Sequence, residues 1–244
     1  MRLSRPLLKH IDQIALTVIS GVAPVFVFSG AGGPRVIGTG FFARLDQRHY
    51  FVSAAHVLQD YGQENVGVIL FGQPYSFADR QFFFSATDDL CFSPLDAELE
   101  SVLKDNFKIP ISRDLGPFKD GAHGVVFLGF PRSLNRSGMP TALPVSTTLE
   151  SRSLLTMTRV DDPAIYWLND PCLLDSDGDV RIEQLETDGM SGSPAFSWIN
   201  IGTDEAPVLA FKMQSVVVEW EYYDGYIVGS KIGKLIQLID ANPH

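Results

Sequence analysis

The chain has 244 residues, and 45% of them are hydrophobic, which is enough to bury a core as one large all-β domain or as two small ones. Its formal net charge of −10 disfavours binding to nucleic acid or to anionic membranes. The sequence contains two cysteines, Cys91 and Cys172, and free thiols are typical of a reducing compartment. We therefore expect a cytoplasmic protein.

The first predicted element is an amphipathic helix over residues 7–19. Residues 14–28 are apolar and follow basic residues, which also suits a secretory signal, yet Asp12 and Gln13 interrupt the start of that stretch. Residues 24–28 are needed as the first strand, so cleavage after them would remove it. We therefore favour a helical extension over residues 1–21 rather than secretion.

Short runs of β-branched and aromatic residues dominate the rest of the chain, separated by Gly, Pro and Asp. This pattern predicts a β protein with a short helix at residues 96–104 and a C-terminal helix at residues 233–240. Residues 109–121 contain two prolines and several charges, and they predict a bridge between two halves. The predicted strands cover residues 24–29, 35–44, 50–53, 66–71, 81–85, 124–130, 147–155, 164–168, 195–199, 208–218 and 225–228.

One acidic segment, residues 175–179 (Asp-Ser-Asp-Gly-Asp), is similar to the start of a calcium-binding loop. An EF-hand loop requires glycine at its sixth position, where this chain has Val180. A solvated hairpin turn is therefore the favoured interpretation.

Three motifs follow one another in the order His, Asp, Ser. Residues 53–56 (Ser-Ala-Ala-His) close an apolar run, residues 89–92 (Asp-Leu-Cys-Phe) follow, and residues 189–194 (Gly-Met-Ser-Gly-Ser-Pro) come much later. A hydroxyl is a poor nucleophile at neutral pH, so it needs an imidazole to accept its proton and a carboxylate to orient that imidazole. The chain offers a candidate for each role.

These motifs, with residues 38–41 (Gly-Thr-Gly-Phe), resemble those of the chymotrypsin-like (trypsin-like) serine peptidases, particularly the minimal bacterial members. The resemblance implies an all-β fold of two six-stranded antiparallel β-barrels with a short N-terminal helix and a C-terminal helix. The implied division is a helical extension over residues 1–21, a first barrel over 22–112 and a second barrel over 113–244. The α/β-hydrolase elbow Gly-x-Ser-x-Gly does not fit, because Ser193 occupies the place of its last glycine.

The resemblance also implies a serine endopeptidase that acts on protein or peptide substrates without a metal or organic cofactor. Ser191 would be the nucleophile and His56 the general base, and the amides of Gly189 and Ser191 would form the oxyanion hole. The first barrel would carry His56, and the second barrel would carry Ser191.

The acidic partner of His56 is less sharply defined than the other two roles. Asp89 is preferred because the apolar residues after it predict the buried strand that follows the family aspartate. Asp88 and Asp96 are rivals in the same acidic stretch.

Two departures from the secreted members concern activation and substrate binding. Met190 stands where those enzymes carry an aspartate that pairs with a freed N-terminus, so activation by N-terminal insertion is excluded. Regulation is then expected from the N-terminal segment, from loop ordering or from a separate protein partner. Leu185 would lie at the base of the substrate pocket, and the substrate would pair with a strand near Ser215 to Val217.

The alternative to a peptidase is a catalytically silent trypsin-fold protein that acts as a binding or regulatory module. Such proteins typically lose a triad residue or the glycines around the serine. This chain retains all of these residues.

Overall fold

The computed structural model describes residues 18–28, 33–103, 107–115, 124–132, 145–150, 164–167, 173–174, 180–181, 189–203, 206–221 and 226–243. Strands dominate these residues, in agreement with the predicted all-β class. Of the predicted N-terminal helix, residues 7–17 lie outside the described ranges, and Val18 and Ile19 pack as its last turn against the core.

The first sheet is built from the N-terminal half of the chain. Its strands are β1 (Val22–Val27), β2 (Arg35–Leu45), β3 (Arg48–Ala54), β4 (Val66–Leu70), β5 (Gln73–Ser76), β6 (Phe83–Ser85), β7 (Leu90–Pro94) and β8 (Ile109–Ile111). Their order in the sheet is β5-β4-β1-β2-β3-β7-β6, and β8 pairs in parallel with β2. Strand β3, which leads to His56, is therefore central, between β2 and β7.

The second sheet is built from the C-terminal half. The strands of this half are β9 (Gly124–Gly129), β10 (Val145–Glu150), β11 (Ala164–Trp167), β12 (Leu173–Leu174), β13 (Val180–Arg181), β14 (Pro194–Asn200), β15 (Leu209–Glu221) and β16 (Tyr226–Lys231). Six of them form an antiparallel sheet in the order β10-β9-β14-β15-β16-β11. Strands β12 and β13 pair with each other on either side of residues 175–179, which agrees with the predicted hairpin.

The first sheet departs from the predicted set of six antiparallel strands. It has eight strands, and β5 and β8 were not predicted. Strand β5 is mostly exposed and lacks the apolar alternation that identifies a strand. Strand β8 is three residues long and contains Pro110, so its sequence is typical of a linker.

Three short α-helices complete the described structure: α1 (Ala55–Gln59), α2 (Ala97–Val102) and α3 (Ile232–Ala241), with a 3₁₀ turn at Gln63–Asn65. Helix α3 buries Ile232, Leu235, Ile236 and Ile239, the spacing of a single helical face. It contacts β6 and β7 as well as β15 and β16, so it holds the two sheets together. None of the helices in the described ranges is long and apolar enough to span a membrane.

The main hydrophobic core contains side chains from both sheets. Phe41 and Phe92 of the first sheet are fully buried in the same cluster as Val126 and Trp198 of the second. Burying one large apolar side chain contributes about 1.5–3 kcal/mol to folding. This shared core brings the ends of β2 and β3 close to the loop that precedes β14.

Candidate active site

His56 lies in the first turn of helix α1, directly after the central strand β3. The two residues before it, Ala54 and Ala55, are 0% and 1% exposed and belong to a hydrophobic core cluster of the first sheet. The hydroxyl of Ser53 donates to the carbonyl oxygen of Thr39 at 2.7 Å, which fixes the strand end against β2. The His56 side chain itself remains 38% exposed.

Asp89 contacts the turn at His56 through three oxygen atoms. Its carbonyl accepts from the N–H of Ala55 at 3.0 Å, and its Oδ1 accepts from the N–H of His56 at 3.0 Å. Its Oδ2 lies 2.6 Å from His56 Nδ1. Asp89 reaches all three positions with a φ of +50°, in the left-handed region that aspartate tolerates better than most residues.

The two rival aspartates have other partners. Asp88 accepts from the hydroxyl of Ser85 at 2.8 Å. Asp96 caps helix α2, where its Oδ1 accepts from the N–H of Leu99 at 2.9 Å, and it forms an ion pair with Arg80. Of the three carboxylates considered from the sequence, the structure brings Asp89 to His56.

The surroundings of His56 raise its pKa above the ordinary 6.5. The hydrogen bond to Asp89 is the largest cause; partial burial acts in the opposite direction, and the charges of Asp89, Asp60 and Glu219 add to the rise. Because an ionised carboxylate only accepts hydrogen bonds, the neutral ring carries its proton on Nδ1. The Nε2 atom of His56 is then the proton acceptor.

The loop with Ser191 is joined to both sheets by main-chain hydrogen bonds. The N–H of Thr39, in β2, donates to the carbonyl of Ser191 at 2.8 Å. The N–H of Gly192 donates to the carbonyl of Val217 at 2.7 Å, and the N–H of Val217 donates to the carbonyl of Ser193 at 2.8 Å. The position of Ser191 relative to β2 and β15 is therefore fixed by the backbone.

Gly192 is required at its position by both conformation and space. Its φ is +89°, and a Cβ atom there would lie 1.8 Å from the carbonyl oxygen of Thr39 and 2.5 Å from Ser53 Oγ. The loop after Ser191 thus contacts the end of β3, two residues before the turn that carries His56.

The Ser191 hydroxyl faces strand β15, where Oγ donates to the carbonyl of Val218 at 3.5 Å. The charge of Glu219, the residue after Val218, contributes to the raised pKa of His56. Among the described residues, Ser191 Oγ makes this hydrogen bond to Val218 and makes no hydrogen bond to His56. Such catalytic hydrogen bonds are often long before substrate binds.

The two amides predicted for the oxyanion hole belong to Gly189 and Ser191. Within the part of the chain that the structure describes, neither N–H has a hydrogen-bond acceptor. Gly189 is buried, and unpaired buried N–H groups are rare in proteins. Two N–H donors in one tight loop, one at buried Gly189 and one at half-buried Ser191, could stabilise a developing oxyanion if both pointed to one place.

Met190 anchors this loop by apolar packing. Its side chain is 2% exposed and lies in a cluster with Phe127, Ala195, Val217 and other apolar residues of the second sheet. A buried thioether thus stands where the sequence analysis noted an aspartate in the secreted trypsin-like peptidases.

Ser215 and Val217, which the sequence predicts near the substrate, lie in strand β15. Ser215 and Val217 are fully buried, and both main-chain groups of Val217 are used in the hydrogen bonds to the Ser191 loop. The first carbonyl of β15 that faces Ser191 is that of Val218. The pairing of β15 with β16 shifts in register between Val217 and Glu219. Leu185 lies outside the described residues.

Sequence analysis also missed Thr39, whose hydroxyl lies between the Ser191 loop and the end of β9. Its one sequence signal is its place between the two glycines of the Gly-Thr-Gly-Phe motif.

Comparison with known proteins finds a likeness in structure alone. No family model matches the chain, and no curated protein matches its sequence. The serine endoprotease from Yersinia pestis superposes with a TM-score of 0.55 at 15% identity, covering 94% of this chain and 65% of that one. The HtrA-type protease AlgW with a tripeptide gives a TM-score of 0.50 at 12% identity, covering 91% and 61%.

A third solved structure, from work on aromatic interactions in the folding and binding of the Sesbania mosaic virus VPg protein, gives a TM-score of 0.51 at 14% identity. The superposition covers 98% of that structure's chain and 92% of this chain. The chain thus spans about two thirds or less of the length of the two proteases and nearly all of the third structure. At these identities the likeness concerns the fold, and this chain has the fold of trypsin-like serine proteases.

Proposed function

We propose that this protein is a serine endopeptidase that hydrolyses peptide bonds through Ser191, His56 and Asp89. The observation that carries the proposal is the pairing of His56 with Asp89 through the ring and the main chain. The Ser191 loop is hydrogen-bonded to β2 and β15, and its Gly189 and Ser191 amides have no acceptor among the described residues. No metal or organic cofactor enters the proposal.

In the first step, Ser191 Oγ attacks the carbonyl carbon of the scissile bond, and its proton moves to His56 Nε2. The carbonyl electrons move to oxygen, and the resulting oxyanion accepts hydrogen bonds from the amides of Gly189 and Ser191. When the tetrahedral species collapses, the C–N bond breaks, and His56 gives its proton to the leaving amine. The product of this step is an acyl-enzyme.

In the second step, water attacks the acyl-enzyme carbonyl while His56 Nε2 accepts a proton from that water. Collapse breaks the ester bond, and His56 returns the proton to Ser191 Oγ, so the residues end the cycle unchanged. Asp89 holds the imidazole in the tautomer that both steps need and stabilises its protonated form.

We propose protein or peptide chains as substrates, in an extended conformation beside β15 from Val218 onward. Leu185 remains the proposed base of the pocket for the side chain before the scissile bond. The proposed division of the chain at residues 112 and 113 puts His56 and Ser191 in different lobes, so the substrate would lie between them. The buried free thiol of Cys91 suits the cytoplasmic location expected from the sequence.

The experiment that tests the proposal is labelling with a fluorophosphonate probe, for which no substrate need be known. Ser191 Oγ would form a bond to phosphorus, fluoride would leave, and the serine proton would pass to His56. The wild-type protein should label, and Ser191→Ala and His56→Ala should not. An unlabelled wild-type protein that is folded would instead favour the binding or regulatory module.

A further inference from the structure

Thr39 has a fully buried hydroxyl between the two sheets. Its Oγ1 donates to the carbonyl oxygen of Gly189 at 2.7 Å and accepts from the N–H of Phe130 at 3.0 Å. Thr39 itself is 0% exposed, so water does not compete for these partners. The hydroxyl thus connects β2 of the first sheet to the oxyanion loop and to the residue after β9.

The main chain of Thr39 makes two more hydrogen bonds in the same place. Its N–H donates to the carbonyl of Ser191, and its carbonyl accepts from the Ser53 hydroxyl. One residue therefore contacts the loop on both sides of Met190 and the strand that leads to His56.

The Thr39 hydroxyl is hydrogen-bonded to the peptide group that lies between the N–H groups of Gly189 and Ser191. Fixing the carbonyl of Gly189 sets the orientation of the peptide between Gly189 and Met190. The amide of Gly189 precedes that peptide, and the amide of Ser191 follows it. Gly189 has a φ of +97° and no side chain of its own to restrain it, so its carbonyl needs an external donor.

We propose that Thr39 is a positioning residue for the oxyanion hole. This proposal rests on the peptidase function proposed above. Its hydroxyl holds the Gly189 carbonyl so that the N–H groups of Gly189 and Ser191 point to one place. Such donors accelerate a reaction because they are already oriented when negative charge develops.

The test compares labelling kinetics of wild type, Thr39→Val and Thr39→Ser with a fluorophosphonate. Valine has the shape of threonine without the hydroxyl, and serine keeps the hydroxyl. Loss of a whole oxyanion donor costs ~10²–10³ in rate, so we expect an indirect loss in Thr39→Val of ~10- to 100-fold in the maximal labelling rate. The half-saturating probe concentration should stay within ~2-fold, and Thr39→Ser should recover the rate to within ~3-fold of wild type.

Ser197→Ala is the matched control, because Ser197 also bridges two groups. Its buried hydroxyl accepts from Gln214 Nε2 at 2.8 Å and donates to the carbonyl of Lys212 at 3.4 Å. Its removal should lower Tm to a similar extent and leave the labelling rate unchanged. If Thr39→Val does not fold, Thr39→Ala is compared with Thr39→Ser instead, because these two variants differ by the hydroxyl alone.

Thr39→Val labelling as fast as wild type would overturn the inference and leave the peptidase proposal intact. Equal rate losses in Thr39→Val and Ser197→Ala would also overturn it, because they would indicate general destabilisation. A folded wild-type protein that never labels would instead refute the proposed function, and the role of Thr39 with it.

Discussion

Asp89 holds His56 through both of its carboxylate oxygens. Oδ1 accepts from the His56 main-chain N–H at 3.0 Å, and Oδ2 lies 2.6 Å from Nδ1 of the ring. One carboxylate therefore fixes both the first turn of helix α1 and the rotation of the imidazole. A substitution at Asp89 should therefore change the orientation of the His56 imidazole, while the imidazole stays in the site.

Replacing Asp89 by asparagine should reduce the acylation rate strongly. The amide can donate to Nδ1, which favours the tautomer with its proton on Nε2, and the same change costs about 10⁴ in a well-studied protease of this fold. Asp96→Asn is the matched control: asparagine caps helices almost as well as aspartate, so its effect should be mild. Fluorophosphonate labelling rates of the two variants provide the measurement. A larger loss for Asp96→Asn would transfer the proposed role to Asp96.

The pH dependence of acylation should report the raised pKa of His56. The protonated ring cannot accept the serine proton, so the rate should rise with pH, with its midpoint above the ordinary 6.5. Removing a nearby negative charge destabilises the protonated ring, so Asp60→Asn and Glu219→Gln should each lower the midpoint. Asp240→Asn, in helix α3, is the control and should leave it unchanged. A rate that is flat from about pH 5 to 8 would argue against His56 as the base.

Part of this site could be predicted from sequence because its signals are local. Two alanines before a histidine indicate a crowded turn, and three apolar residues after Asp89 indicate a buried strand. Leu90, Cys91 and Phe92 are indeed fully buried in β7. The same reasoning could predict the helical face of α3 and the core strands.

The remaining features depend on contacts that are distant in sequence. The two partners of the Thr39 hydroxyl are 91 and 150 residues away, and no spacing rule predicts such a bridge. Strand β8 pairs with residues 43–45 of β2, beyond the part of β2 that pairs with β1. The register shift between β15 and β16 at Val217 to Glu219 is likewise invisible in the sequence.

Gly192→Ala should disrupt the Ser191 loop beyond the cost of a strained backbone. An alanine in the left-handed region costs about 1–2 kcal/mol, and here its Cβ would also overlap the Thr39 carbonyl oxygen, 1.8 Å away. Gly72→Ala is the control, since its φ is +79° and nothing lies within 4 Å of the added carbon. Thermal unfolding and labelling should be measured for both. Labelling of Gly192→Ala at the wild-type rate would contradict the loop geometry.

Met190 should tolerate an apolar replacement and reject a charged one. Leucine has a similar volume, so Met190→Leu should cost less than about 1.5 kcal/mol in the free energy of unfolding and keep labelling. Met190→Asp would bury a carboxylate in an apolar cluster and should abolish labelling or folding. If Met190→Asp labelled as well as wild type, the apolar anchor would not be what holds the oxyanion loop.

Peptide-bond cleavage is the central claim, and the direct measurement is of the new N-termini formed in a denatured proteome. Wild-type protein and Ser191→Ala are incubated with it in parallel, and the new termini are identified by mass spectrometry. The account predicts a set of internal cleavages with wild type that is missing with Ser191→Ala. Cleavages that are equal in the two samples, or missing from both, would contradict it.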